Sequence, residues 1–196
     1  MKTKYIQQKT VLISGLIIIF NLFIFSNLFA ADIYVDQTLS NNCTSQNYSI
    51  LKRNCTGSDG NAYKTIKAAV KVMNAGDTMF LRGGTYNEIQ IYIGEWRNGD
   101  PDNWYTVKSY PGEWAIVDGQ HNPDPSITWN HSVFFGTSQS NQNNYIRFEN
   151  MEITGGGYDL GDPNYPSKSK GAGINMRGRH LEFRYLYIHN NYGSTR

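Results

Sequence analysis

Residues 145–156, YIRFENMEITGG, recur as residues 180–191, HLEFRYLYIHNN, and no other feature of the sequence restricts the fold as much. Ile146 aligns with Leu181, Phe148 with Phe183, Met151 with Leu186 and Ile153 with Ile188. A repeated supersecondary unit marks chains that stack copies and bury each inner face against the next. The apolar parity slips between Phe148 and Met151, and again between Phe183 and Leu186. Each copy therefore reads as two short strands joined by a bend. A bend at the same place in both copies is what the corner of a parallel solenoid requires, whereas a hairpin in a sandwich or barrel does not. The alignment also sets Arg147 beside Glu182 and Glu149 beside Arg184, a ladder of opposite charges contributing roughly a few tenths of a kcal/mol per exposed pair.

The chain before the repeat has three parts. Lys2, Lys4 and Lys9 precede the apolar run VLISGLIIIFNLFIFSNLFA, and small residues follow at Ala30 and Ala31. That order predicts a signal peptide over 1–30, with an uncleaved membrane anchor as the competing reading. Asn21 and Asn27 weaken the anchor, because amides are costly in lipid. Cleavage would remove three lysines and no acid, turning the precursor's slight positive charge into a slight negative one. The mature protein is then expected to be secreted, periplasmic or held at the cell surface.

Residues 31–76 form the next part: the strand DIYVD, a polar loop and the segment YKTIKAAVKVMNAGD. Cys43 and Cys55 are the chain's two cysteines. Outside the cytoplasm they are expected to form a disulfide, the alternative being two free thiols in a mobile loop. The sequons at Asn42, Asn47, Asn54 and Asn130 matter only in a glycosylating host. Thr65 can cap a helix running to about Met73, with Ile66, Ala69, Val70 and Met73 on one face and Gly76 ending it.

From residue 77 to 196 the period shortens to strands. They are expected at about 78–81, 88–93, 105–109, 115–118, 132–135, 144–154, 172–176 and 180–189. The segments GGTYN, NGDPDN, YPGE, DGQHNPDP, FGTSQSNQ, TGGGYDLGDPNYPS and RGR supply the turns between them. The result is an all-β body with one helix at its start.

The run YKTIKAAVKVMNAGDTMFLRGGTYNE, with EIQIYI, YPGEWAIVDGQ and YIRFENMEITGG after it, resembles the opening of the pectate-lyase-like right-handed parallel β-helix superfamily of secreted polysaccharide lyases and glycoside hydrolases. The resemblance covers most of residues 32–191. It implies that the helix caps the N-terminal end of the solenoid and that the first full coil starts at Asp77. As the chain stops directly after the second repeat copy, it is expected to be truncated at its C-terminus. Catalytic residues are then expected beyond residue 196, and no catalytic motif of the superfamily can be carried onto the residues present.

Three functions remain open on this scaffold. The first is a lyase acting on an acidic glycan by β-elimination, which needs a base and a positive centre, often Ca²⁺. The second is a hydrolase, which needs two facing carboxylates; Glu149, Glu152 and Glu182 are available, or form a solvated charged face. The third is a non-catalytic glycan-binding or adhesive surface protein. Trp96, Trp104, Trp129, Tyr158 and Tyr165 lie in or beside loops and are candidates for stacking on sugar rings, whereas Trp104 and Trp114 could instead pack loops onto the coil. Tyr92 is expected to point outward, opposite Ile91 and Ile93. Asp159, Asp162 and Asn164 are oxygen ligands close in sequence that suit either calcium or an Asx turn. The partner expected is a polysaccharide, and a monomer is expected. Near-balanced charge and the lack of a phosphate-binding loop speak against nucleic acids and nucleotides.

Overall fold

The computed structural model describes residues 30–93, 98–121, 132–136, 143–157 and 171–192. The expected leader lies outside the described residues. Among the described residues the strands are β1 (Asp32–Val35), β2 (Asn61–Tyr63), β3 (Thr78–Leu81), β4 (Gly84–Asn87), β5 (Ile91–Ile93), β6 (Tyr105–Ser109), β7 (Ala115–Asp118), β8 (Phe134–Gly136), β9 (Asn143–Thr154), β10 (Ile174–Asn175) and β11 (Gly178–Ile188); a short helix, α1 (Ile66–Val70), follows β2. Every pairing between these strands is parallel.

The pairings sort into three stacks. The first runs β2, β1, β3, β6 and the front halves of β9 and β11. The second runs β4, β7 and the rear halves of β9 and β11. The third is the separate sheet of β5, β8 and β10. From β3 onward the chain visits them in a fixed order, first, second, third, and then returns to the first.

The bend read from the sequence sits where the parity slips. Asn150 has φ 50° and Tyr185, its counterpart in the repeat, φ 52°. The same conformation recurs at Tyr145 and His180, and at Gly155 and Asn190. A left-handed residue is uncommon outside glycine, so its return at three matched positions marks corners that the stack repeats. Between corners the strands alternate. Ile33, Met79, Val107 and Phe148 share one register column and are buried, whereas Phe183, next in that column, is 48% exposed.

Five strands start and end where the sequence places them within a residue, β2 and β4 are not expected, and β5, β8, β10 and β11 start two or three residues from the expected positions. GGTYN, expected as a turn, is mostly strand β4. Gly84, at φ 133°, turns the chain, and a Cβ there would strike the Gln37 side chain. Beyond it Tyr86 is buried, with its hydroxyl 2.7 Å from the carbonyls of Val35 and Arg82. Turn chemistry at the glycines hid a strand that needs only one inward aromatic. β2 lies between the end of the polar loop at about Gly60 and the helix, where no strand is expected, and pairs with β1. The helix is shorter than its apolar spacing suggests. Thr65 caps it, Oγ1 accepting from Ala68 N at 3.1 Å, and the Glu88 carboxylate accepts from the N–H groups of Ile66 and Lys67 at 2.7 and 3.0 Å. Ile66 and Ala69 enter the core beside Ile33, Met79 and Ile91. So short a helix depends on that burial rather than on its own hydrogen bonds.

The polar loop is built inward. Cys43 and Cys55 are joined in a disulfide, and a bridge across so short a loop stabilises by about 3 kcal/mol in the chain-entropy model. Fully buried Asp36 receives Arg53 at 2.7 and 2.9 Å, the Tyr48 hydroxyl at 2.8 Å and Thr38 Oγ1 at 2.7 Å. Arg82 continues the network, donating to the Tyr48 hydroxyl at 2.7 Å and to Glu113 at 2.6 Å, with its guanidinium 4.8 Å from the centre of the Tyr110 ring. A buried carboxylate so fully hydrogen-bonded is tolerated where an unpaired one is not.

Candidate functional site

The three stacks differ in what connects them. First and second are joined by one left-handed residue at Asn150 and Tyr185, or by a few residues as in 110–114. The third is reached through residues 119–133 and 155–173, and β5 is left through 94–104. Long connections on a rigid frame are where binding chemistry is usually built, which directs attention to the outer face of the third stack. Inward positions there are Ile91, Phe134 and Ile174; outward positions include Tyr92 and Asn175. Ile91 and Ile93 are buried and Tyr92 is partly exposed, as the alternation predicts. Asn175 and Arg177 are exposed. The frame is held by backbone bonds from Gln90 N to Ser132 O at 2.9 Å and from Val133 N to Ala172 O at 3.0 Å.

Trp96, Trp129, Tyr158 and Tyr165, and with them Asp159, Asp162 and Asn164, fall within the segments that enter or leave this stack, but all seven lie outside the described residues. Trp104 does not join them. It is half-buried at the corner before the first stack, edge-on to Tyr145 with centroids 5.5 Å apart, and the Arg147 guanidinium lies 4.6 Å from its ring centre. Tyr145 in turn stacks on His180 at 4.3 Å and 6°. The packing role weighed for Trp104 is what this geometry displays, since a ring already covered by a guanidinium offers less surface to a sugar.

The outer face of the first stack carries the charge ladder. Arg147 meets Glu182 at 2.6 Å and Glu149 at 3.6 Å; Arg184 meets Glu182 at 2.6 Å and Glu149 at 3.6 Å. The hydrogen bond from Arg147 holds the Glu182 carboxyl below its ordinary range. Glu113 is likewise held low, chiefly by the hydrogen bonds of Arg82. Among the described residues no three His, Cys, Asp or Glu side chains gather as a metal cage. Glu113, Glu149, Glu152 and Glu182 are each taken up by arginine or histidine, a donor set that suits ion pairs rather than calcium.

One cluster escaped the sequence. Trp114, Glu152 and His189 are each visible there singly, yet the structure joins them on the outer face of the second stack. His189 Nε2 lies 2.9 Å from Glu152 Oε1, and the Trp114 N–H donates toward Glu152 Oε2 at 3.4 Å. Tyr187 is in register with Glu152 and stacks on His189 at 4.3 Å. The repeat held the signal, because carrying Glu152 one copy forward lands on Tyr187. At the opposite end, beside β1, a cleft of about 420 Å³ is lined by Asp32, Asp59, Asn61, Tyr63, Asn74 and Asp77 among others, and holds none of the candidate residues.

The described residues define an all-β protein of parallel strands in two sheets. Its sequence is 28% identical over 143 residues to the pectate lyase PEL9 of Emericella nidulans, a match covering 70% of this chain and 31% of that one. The chain thus spans about a third of the length of that relative. No family model matches the sequence, and no solved structure matches it.

Proposed function

We propose that this chain is the N-terminal part of an exported polysaccharide lyase, built on a right-handed parallel β-helix and acting on an acidic glycan by β-elimination. The observation that carries this reading is the agreement between two independent lines: a three-stack parallel fold that circles in constant order, and similarity to a pectate lyase over 70% of the chain. In this reading α1 covers the first coil, and the glycan lies along the third stack, where Tyr92 offers an aromatic surface and Arg177, just after β10, offers exposed positive charge to uronate groups. The disulfide favours an oxidising compartment outside the cytoplasm.

Elimination requires a base at the proton beside the uronate carboxylate and positive charge to stabilise the anion that forms. Calcium would supply that charge when bound, and Asp159, Asp162 and Asn164 are the residues of this chain proposed to contribute to holding it. The catalytic base is assigned to coils beyond residue 196. Further coils are in keeping with the share of the pectate lyase relative that the chain spans, about a third of its length. Hydrolysis is less favoured, because Glu149, Glu152 and Glu182 are already bound to basic groups.

The test is to express the complete gene product with polygalacturonate and with uncharged glycans, recording the ultraviolet absorbance of unsaturated ends with and without chelator. A chelator-sensitive rise on the acidic glycan is expected. Reducing ends released without unsaturation would instead make the protein a hydrolase, and binding without cleavage would make it an adhesive module.

A further inference from the structure

The first and second stacks turn different chemistry outward. The outward columns of the first contain Lys108, Arg147 and Arg184 beside Asp32, Glu149 and Glu182. Those of the second are Thr85, Ile116, Glu152 and Tyr187, and Asn87, Asp118 and Thr154. The second face therefore presents two carboxylates and neither lysine nor arginine. On it lies the Trp114, Glu152, His189 and Tyr187 cluster, contributed by three successive passes of the chain. Neighbouring passes are about 4.8 Å apart, so the cluster extends over roughly 10 Å, about the reach of two sugar rings.

Its aromatic rings are not used up by packing. Trp114 is 45% and Tyr187 58% exposed. A large ring left in water beside fixed polar groups is the usual form of a site that stacks on one face of a ligand and bonds its edge. The polar groups are held by one another: Glu152 is fixed between the Trp114 N–H and the His189 ring, and that ring by Tyr187. Glu152 keeps lone pairs for a hydroxyl donor, His189 keeps its Nδ1, and the Tyr187 hydroxyl has no protein partner among the described residues.

We infer that the outer face of the second stack is a binding subsite for an uncharged glycan, with Trp114 and Tyr187 as stacking surfaces and Glu152 and His189 as hydroxyl partners. The sugar is uncharged because no arginine or lysine stands among the outward positions of that face to receive a uronate, and the His189 ring there is already engaged by Glu152. This site goes beyond the lyase reading and does not depend on it. If both hold, the protein would grip a neutral chain on one face while acting on an acidic one at another.

The experiment is calorimetric titration of the oxidised full chain with uncharged β-1,4-linked glucose and galactose tetrasaccharides and with tetragalacturonate, on the native protein and on W114A, Y187A and E152Q. Saturable binding of at least one uncharged tetrasaccharide is expected. W114A should weaken it about tenfold or more, the loss of one well-stacked ring. Y187A should weaken it less, and E152Q should retain it while reducing the discrimination against tetragalacturonate. Trp114 and Tyr187 are exposed, so circular dichroism of both variants should match the native protein. The inference is overturned by no saturable binding of either uncharged sugar at millimolar concentration, by binding that W114A leaves unchanged, or by tetragalacturonate binding equally well through Trp114.

Discussion

The two ends of the described stack differ in exposure. At the β1 end, Ile66 and Ala69 of the short helix share a core with the first strands, the disulfide loop carries a buried ionic network, and residues such as Val35, Tyr48, Met73 and Met79 have no exposed surface. At the β11 end the inward column continues in register, Phe148 stacking on Phe183 at 5.8 Å and 11°, yet Phe183, Ile188 and the corner residue Tyr185 are 48%, 46% and 81% exposed. A parallel stack has no preferred stopping point, because each strand offers the next the same hydrogen bonds. What ends it is chain devoted to covering the edge, and polar loops can do this only by importing bonds and cross-links.

The sharpest way to test that contrast is to truncate the same side chain at two steps of one column. Phe148 is fully buried and in contact with Phe134 as well as Phe183. Phe148→Ala is expected to cost roughly 3–5 kcal/mol, the range for a buried aromatic. In the 196-residue chain Phe183→Ala should cost about 1 kcal/mol, since half its surface is already in water. Denaturant unfolding of both variants measures the difference. Equal losses would mean that β11 is covered in solution.

A second prediction addresses the covered end through pH. Burial pushes the Asp36 carboxyl up, but the hydrogen bonds from Arg53, Thr38 and Tyr48 outweigh it and hold its pKa at about 2. A carboxylate depressed in the folded state contributes stability that is complete above its unfolded pKa and is lost as pH falls toward its folded one. The loss is expected between about pH 4 and pH 2 and amounts to roughly 2 kcal/mol. Glu88 acts in the other direction: burial raises its pKa, so it favours the folded state on the acid side and its contribution declines as pH rises through the range just above 4.5. Acid titration of stability in Asp36→Asn should therefore flatten only the lower window. If the native slope below pH 4 survives the substitution, the Asp36 network does not carry it.

Much of this was legible in the sequence because the repeat is itself a register. The alignment of residues 145–156 with 180–191 gives the β9 and β11 pairing, the inward set, the corner between Phe148 and Met151 and the charge ladder, and all four are present. The strands at 78–81, 105–109 and 115–118 follow from alternation bounded by turn residues. β4 was hidden because two glycines at its start look like a turn whatever follows them. The inward network was hidden for another reason. Asp36, Arg53, Arg82 and Glu113 are far apart in sequence, and nothing local distinguishes a buried ion from a solvated one. The same holds for the Trp114, Glu152 and His189 cluster, whose members meet only once three passes are stacked. Trp104 shows the converse, an aromatic beside a loop that the fold engages with Tyr145 and Arg147.

The smallest effect separates ladder from network. Arg184 is 49% exposed and pairs with Glu182 and Glu149 at the open end, whereas the partners of Arg53 and Arg82 are buried or half-buried at the covered one. In water the attraction between exposed charges is offset by solvation and side-chain entropy, so Arg184→Ala should cost less than about 1 kcal/mol and that cost should vanish in high salt. Arg82 is 5% exposed and bonded to Tyr48, Ile50 and Glu113, so Arg82→Ala should cost several times more and be nearly independent of salt, because its removal strands buried acceptors that ions in solution do not reach. Unfolding both variants at low and at high ionic strength reads the two dependences directly. A salt-insensitive loss at Arg184 would mean that the ladder is shielded from solvent as the network is, and the two ends would then differ in composition but not in exposure.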